Sequence, residues 1–235
     1  MNRPFDHTQH VHDGTHHILL AASGSVATIK LPNLIAGLNA SPAPLSIRII
    51  LTVSAAQFLA GQSREQPSLA DIASLPNVDG IYLDSDEWAT PWTRGAPILH
   101  IELRRWADVM VIAPLSANTL AKMVAGLCDN LLLSVVRAWD CSGKLDAPHR
   151  VAYNGREKTW PGTGRKVIIV APAMNTAMWA HPLTANHIAA IGEFNWIKVL
   201  RPVEKELACG DTGTGAMRPW NEIKDTILDV IRLEE

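Results

Sequence analysis

The fold of this chain is decided by the stretch His17-Ile18-Leu19-Leu20-Ala21-Ala22-Ser23-Gly24-Ser25. Its apolar part is continuous, as expected for a strand that is buried on both faces of a parallel sheet. The strand ends at small polar residues, and a helical pattern follows over residues 26–38. The stretch therefore predicts the first strand and the first helix of an α/β domain.

The same alternation of strands and helices continues along the chain. Apolar runs of strand length occur at 46–52, 108–113, 166–171 and 196–200, and helical patterns lie between most of them. This alternation is typical of a mostly parallel sheet with helices on both faces. We therefore predict a single-domain α/β protein with a three-layer fold of the flavodoxin or Rossmann type.

Two segments fall outside this regular pattern. Residues 1–15 are polar and contain several histidines but no apolar periodicity, so we expect a flexible tail before a domain over residues 16–235. A histidine-rich tract can bind metal adventitiously, but we assign no metal site. Residues 140–165 are rich in Gly and Pro, which predicts a surface excursion.

Composition excludes several classes of partner. The chain has 235 residues, with 21 Lys and Arg against 23 Asp and Glu, so its formal charge of −2 argues against nucleic acid and anionic membranes. Its apolar runs are far shorter than the roughly 20 residues of a membrane span. The N-terminus lacks a secretory signal pattern, and three cysteines cannot all pair within one chain, so we expect a cytoplasmic protein.

Small and polar residues follow four of the predicted strands. Ligands of parallel α/β sheets bind at the carboxyl ends of the strands, so these residues predict one shared ligand site. The first of them, at Gly24-Ser25-Val26, suits a phosphate at a helix N-terminus. It matches neither a dinucleotide fingerprint nor a Walker loop, which leaves a mononucleotide open. The strand ends are Gly24-Ser25, Thr52-Val53-Ser54, Pro114-Leu115-Ser116 and Pro172-Ala173-Met174-Asn175.

Several longer motifs resemble a known family when they are taken together. The chain is similar, in order from about residue 17 to 233, to the phosphopantothenoylcysteine decarboxylases, the coenzyme A branch of the homo-oligomeric flavin-containing cysteine decarboxylases. The motifs are Gly24-Ser25-Val26-Ala27, His100-Ile101-Glu102-Leu103, Ala113-Pro114-Leu115-Ser116-Ala117-Asn118-Thr119, Gly126-Leu127-Cys128-Asp129-Asn130-Leu131-Leu132, Pro172-Ala173-Met174-Asn175-Thr176-Ala177-Met178-Trp179 and Leu207-Ala208-Cys209-Gly210-Asp211.

The resemblance implies a non-covalently bound FMN. Its phosphate is expected at the end of the first strand. The hydroxyl residues after the second strand would lie near the phosphate, and the residues after the third strong strand would surround the flavin. The implied cofactor-binding residues are Gly24, Ser25, Val26, Thr52, Ser54, Ser116, Ala117, Asn118, Thr119 and Ala173. The family also implies a homotrimer with the flavin near a subunit interface, and a heterotrimer of related chains remains open. Only 19% of the residues are charged, which agrees with burial between subunits.

The catalytic and substrate residues rest on the resemblance as well. From the residues alone, His100 could be structural, Asn175 a turn former and Cys209 an inert buried thiol. The resemblance makes His100 the catalytic base and Cys209 the proton donor, and it gives Asn175 the substrate carboxylate, with Ala208 and Met217 as further substrate-binding residues. The family pattern is broken at Glu206, where a basic residue is expected.

The implied reaction is the FMN-dependent decarboxylation of 4'-phosphopantothenoylcysteine to 4'-phosphopantetheine in coenzyme A biosynthesis. It would proceed through flavin oxidation to a thioaldehyde, loss of CO2 and re-reduction of the enethiolate. The alternative is a regulatory, phosphatase-inhibiting subunit of the same fold. A peptidyl-cysteine decarboxylase is disfavoured by Leu115, because that branch more often has alanine there.

Overall fold

The computed structural model describes residues 5–146, 149–153, 156–160, 166–206 and 212–232. Its strands are β1 (His16–Ala22), β2 (Leu45–Leu51), β3 (Ala60–Ser63), β4 (Gln66–Ser68), β5 (Val78–Leu83), β6 (Val109–Leu115), β7 (His149–Tyr153), β8 (Arg156–Trp160), β9 (Val167–Pro172), β10 (Ile197–Val199), β11 (Val203–Glu206) and β12 (Thr212–Ala216).

The helices are α1 (Leu31–Asn39), α2 (Val53–Ala56), α3 (Leu69–Ala73), α4 (Asp84–Glu87), α5 (Leu99–Trp106), α6 (Ala117–Ala125), α7 (Leu131–Ala138), α8 (Thr176–Ala180), α9 (Pro182–Gly192) and α10 (Trp220–Arg232). Short 3-10 helices occupy His7–His10 and Val26–Lys30.

Six strands form one parallel sheet in the order β10-β9-β6-β1-β2-β5. Leu20 at the centre of β1 lies opposite Ile49 on one side and Val111 on the other. The chain moves outward from β1 to β2 and β5, and then from β6 to β9 and β10 in the other direction. This is the doubly wound order, and its switch point lies between β1 and β6. The predicted α/β fold is confirmed.

The core has two layers because neighbouring residues of each strand point to opposite faces of the sheet. Ile18 and Leu20 belong to the layer that packs under α1 and α10. Leu19 and Ala21 belong to the layer under α5 and α7. Both layers are apolar, which explains why β1 has no polar alternation in its sequence.

The N-terminal segment, expected to be a flexible tail, contacts α5 in its described part, residues 5–15. The Phe5 ring packs edge-on against Trp106, with ring centroids 6.2 Å apart. His7 Nδ1 lies 2.6 Å from Glu102 Oε2, and the His7 backbone N–H donates to the same oxygen at 3.0 Å. One aromatic contact and one contact between a histidine and a carboxylate thus join the described part of this segment to α5, although its sequence has no apolar periodicity.

The segment predicted as a surface excursion begins with a tightly bonded loop. The Asp140 carboxylate accepts hydrogen bonds from the backbone N–H groups of Ser142, Gly143, Leu145 and Asp146. Burial alone would raise the pKa of Asp140, but these hydrogen bonds outweigh burial and hold its pKa below the usual range. Further along, β7 and β8 pair with each other in a two-stranded sheet of their own.

In the described ranges, no helix has both the length and the apolar character needed to cross a membrane.

Candidate active site

A cavity of about 460 Å³ opens at the carboxyl ends of β1, β2, β6 and β9. It lies at the switch point of the sheet, where doubly wound folds bind their ligands. Its volume is within the range of cofactor pockets. The lining residues are Gly24, Ser25, Thr52, Val53, Ser54, Asp84, Ser116, Ala117, Asn118, Thr119, Asn130, Ala173, Met174 and Met178.

Ser23 ties together the two loops that flank the switch point. It is fully buried, and its backbone N–H donates to the Pro114 carbonyl at 3.0 Å. Its Oγ donates to the same carbonyl at 3.1 Å and accepts the Ser116 N–H at 2.8 Å. Three hydrogen bonds thus fix the loop after β1 beside the start of α6. In the sequence, Ser23 is identifiable only as the residue after a strand, and nothing there indicates these hydrogen bonds.

The loop after β1 approaches the loop after β2 very closely at Gly24. A Cβ atom at Gly24 would lie 2.8 Å from the Ser54 Cβ, a distance that real Cβ atoms essentially never show. Ser54 Oγ lies in turn 3.2 Å from Thr52 Oγ1. Within the described residues, no hydrogen bond is recorded from the N–H groups of Gly24 and Ser25. These N–H groups and hydroxyls form a cradle of donors that suits a phosphate.

A further part of the cavity wall is formed by the first turn of α6. Ser116 caps this helix, accepting the Thr119 N–H at 3.3 Å and donating to Thr119 Oγ1 at 3.1 Å. Both side chains are buried, whereas Asn118 is exposed. Ala117, together with Ala173 and two methionines, adds apolar surface. The cavity wall therefore combines hydroxyl and N–H donors with apolar surface, which fits the phosphate and the ring system of FMN.

Val26 is the one predicted cofactor residue that is missing from the cavity wall. Its side chain is exposed and it begins the 3-10 helix that Ser25 caps. Two polar residues of the wall were not predicted. Asp84 Oδ1 accepts the Leu131 N–H at 2.7 Å, and Asn130 caps the same helix, α7. Asp84 directly follows β5, and this position could have identified it as a site residue. The apolar run of β5 is short, however, so the end of this strand is hard to identify in the sequence.

His100 lies in the first turn of α5, outside the described wall of the cavity. Its Nδ1 is 2.8 Å from Glu87 Oε1, and its backbone N–H donates to Glu87 Oε2 at 3.2 Å. The His100 side chain is 23% exposed and that of Glu87 only 3%. The predicted base is therefore held by a buried carboxylate and does not reach the cavity of its own chain.

Of the predicted substrate residues, the structure describes Asn175 and Met217. Asn175 is exposed between two cavity-lining methionines, and its Oδ1 caps α8 by accepting the Met178 N–H at 2.8 Å. Met217 is half-buried and packs against the core layer of α1 and α10. Ala208 and Cys209 lie outside the described residues. The structure thus brings Asn175, but not Met217, to the edge of the cavity.

The strand that follows residues 207–211, β12, packs against the helix that Asn175 begins. The Gly215 carbonyl accepts the Met174 N–H at 3.0 Å. A Cβ at Gly213 would lie 2.7 Å from Thr176 Cγ2, so only glycine allows this approach of β12 to α8. The β11–β12 hairpin is therefore seated beside the cavity.

The chain is similar in sequence to a known protein family and to proteins named as decarboxylases. The family model described as Flavoprotein matches residues 6–232. A probable phosphopantothenoylcysteine decarboxylase of Arabidopsis thaliana is 44% identical over 211 residues, covering 89% of this chain and 86% of that protein. The phosphopantothenoylcysteine decarboxylase of Mus musculus is 40% identical over 200 residues, covering 85% of this chain and 79% of that protein.

Solved structures show the same likeness. The FMN-binding protein AtHal3 matches with a TM-score of 0.71 and 39% identity, covering 94% of this chain and 99% of that one. A PPC decarboxylase with a cysteine-to-serine substitution, complexed with pantothenoylaminoethenethiol, has a TM-score of 0.71 and 40% identity, covering 91% and 96% of the two chains.

These likenesses span most of the chain and include the strand ends that form the cavity. They confirm the resemblance found in the sequence, the decarboxylase class and FMN as the cofactor. The chain therefore belongs to the Flavoprotein family and, within it, to the FMN-binding phosphopantothenoylcysteine decarboxylases.

Proposed function

We propose that this chain decarboxylates 4'-phosphopantothenoylcysteine to 4'-phosphopantetheine, a step of coenzyme A biosynthesis. The observation that carries the proposal is the cavity at the switch point, which is lined both by the donor cradle of Gly24, Ser25, Thr52 and Ser54 and by the first turn of α6. The relatives named for this reaction support the choice of substrate.

A cysteine carboxylate has no electron sink for the charge that CO2 leaves behind, so direct decarboxylation is difficult. FMN, held by the residues of the cavity, would supply a two-electron acceptor for oxidation of the CH2 group beside the substrate thiol and would return the two electrons after CO2 is lost. The substrate is then a thioaldehyde while CO2 leaves, and its C=S group accepts the released charge. The phosphate and ring of the cofactor are held by the cradle and by Ser116 to Thr119.

His100 is proposed as the base that takes the thiol proton during oxidation. Because His100 lies outside the cavity of its own chain, we propose a homotrimer in which it serves the cavity of a neighbouring subunit. Trp88 and Trp92, in the segment before His100, are 72% and 54% exposed, which supports a subunit contact in this region.

Asn175 is proposed to hold the substrate carboxylate with its amide. Its Oδ1 is already used to cap α8, so the NH2 group is the part that remains to donate. An amide binds a carboxylate without adding a positive charge that would oppose its loss as neutral CO2.

Cys209 is proposed to protonate the enethiolate after CO2 has left. The solved relative with a cysteine-to-serine substitution is complexed with an enethiol, which supports a late role for a cysteine in this family. Cys128 and Cys141 are free and exposed thiols, in keeping with the reducing cytoplasm that we propose as the compartment.

The test is a CO2-release assay on the purified yellow protein with 4'-phosphopantothenoylcysteine. We expect one CO2 and one 4'-phosphopantetheine for each substrate consumed, with no external reductant. A protein that retains FMN but releases no CO2 would contradict the proposal. Inhibition of a protein phosphatase by such a protein would favour the regulatory function.

A further inference from the structure

Glu87 is a buried carboxylate that the proposed reaction has not yet used. It is the last residue of the short helix α4, and its side chain is 3% exposed. Both of its oxygens bind His100, one at the imidazole Nδ1 and the other at the backbone N–H, at 2.8 Å and 3.2 Å. The two residues are 13 positions apart in the sequence, so this is a contact between two elements.

The other charged groups near α5 have partners of their own or face solvent. Among the described residues, α4, α7 and the N-terminal 3-10 turn pack against α5. Asp84 accepts the Leu131 N–H, Asp86 the Leu83 N–H, and Glu102 binds His7. The remaining charged or titratable groups lie on α5, α7 and the 3-10 turn. On α5, Arg104 pairs with Asp146 and Arg105 pairs with Glu102. Arg137 of α7 is exposed, and His10 of the 3-10 turn pairs with Asp13.

The bond to Glu87 decides which nitrogen of His100 can act as a base. An ionised carboxylate only accepts hydrogen bonds, so Nδ1 must carry the hydrogen, and the lone pair of the neutral ring is then on Nε2. The second bond, to the backbone N–H, holds Glu87 against the first turn of α5. The ring is thereby fixed in one tautomer and one orientation.

We propose that Glu87 is a positioning residue for the proton transfer at His100. It presents Nε2 to the substrate thiol, and it stabilises the imidazolium that forms when the thiol proton moves to Nε2. Carboxylates play the same part behind histidines in hydrolase triads and metal sites. This inference rests on the proposed role of His100 as the base.

The first experiment measures the tautomer without any substrate. In the FMN-loaded protein labelled with 15N-histidine, the His100 signals are identified by their loss in His100→Asn. At a pH where the ring is neutral, we expect the parent protein to show a protonated Nδ1 and an unprotonated Nε2. We expect Glu87→Gln to show a mixture of tautomers, because a glutamine side chain can donate as well as accept.

The second experiment measures substrate-dependent flavin bleaching by stopped flow across pH. For Glu87→Gln, we expect a plateau rate about 10- to 100-fold below the parent, the usual loss when a partner behind a histidine is removed. The acid limb should move to lower pH, because the imidazolium loses its counter-charge. Glu87→Asp is the second variant, for use if Glu87→Gln folds poorly. It keeps the negative charge, so its bleaching rate should recover part of the parental rate.

Asp86→Asn is the matched control, because it removes another carboxylate of the same short helix that binds a backbone N–H and not His100. It should keep the parental tautomer and pH profile. An unchanged His100 tautomer together with an unchanged acid limb in Glu87→Gln would overturn the inference. Absence of bleaching in the parent protein would instead contradict the proposed function, and the NMR result would still show whether Glu87 fixes the tautomer of His100.

Discussion

The cradle for the FMN phosphate depends on the absence of a side chain at Gly24, and Gly24→Ala tests this with a single added carbon. The new Cβ would lie 2.8 Å from the Ser54 Cβ, so one of the two loops must move. Overpacking of this kind costs typically about 1–3 kcal/mol. Because the loops that would separate are the ones that form the cradle, we expect the cost to appear in cofactor binding, as an FMN affinity about 5- to 150-fold weaker.

The assay is a titration of the flavin-free protein with FMN, followed by fluorescence quenching. Gly192→Ala is the matched control, since a Cβ there meets no atom within 4 Å. Combining Gly24→Ala with Ser54→Gly removes the clashing Cβ and should recover part of the affinity lost in Gly24→Ala. An unchanged FMN affinity in Gly24→Ala would refute the reasoning that the close approach of these two loops forms the phosphate site.

Three further changes separate cofactor binding, chemistry and stability. His100→Asn should keep FMN bound but abolish substrate-dependent bleaching in stopped flow, and normal bleaching would remove His100 from the mechanism. Gly213→Ala should raise the substrate KM and leave the FMN affinity unchanged, because the new Cβ would push β12 away from Thr176. An unchanged KM would argue against a role of the β11–β12 hairpin in substrate binding. Because the pKa of Asp140 is lowered in the folded protein, its ionised carboxylate stabilises the fold. This contribution is fully present above about pH 4, the usual pKa of an aspartate, and is lost as the pH falls below that value. Asp140→Asn should therefore flatten the acid side of a plot of melting temperature against pH, and an equally steep acid side would contradict the role of Asp140.

The sequence predicted the centre of the molecule well for a physical reason. β1, β6 and β9 are buried on both faces, so their sequences are continuously apolar and easy to identify. Once these strands are known to be parallel, the residues after them must meet at one edge of the sheet. Gly24, Ser116 and the other strand-end residues could therefore be assigned to one cavity without coordinates.

Features that depend on contacts between distant segments could not be predicted in this way. The packing of Phe5 on Trp106 uses a single ring and leaves no periodic signal in the sequence. The bond between Glu87 and His100 crosses an irregular segment with several Gly and Pro residues, where the conformation of the chain cannot be derived from a pattern. Val26 was assigned to the cavity from the motif, but its exposed side chain does not line the cavity.

The central claim, that CO2 is lost only after the flavin has oxidised the substrate, is tested most directly with Cys209→Ser. A serine hydroxyl is a much weaker acid than a thiol, whose pKa is ordinarily about 8.5, so protonation of the enethiolate should stall. Mixing this variant anaerobically with 4'-phosphopantothenoylcysteine should release one CO2 per active site, leave the flavin reduced and yield an enethiol product. Release of CO2 with the flavin still oxidised, or repeated turnover to 4'-phosphopantetheine at the parental rate, would contradict the account.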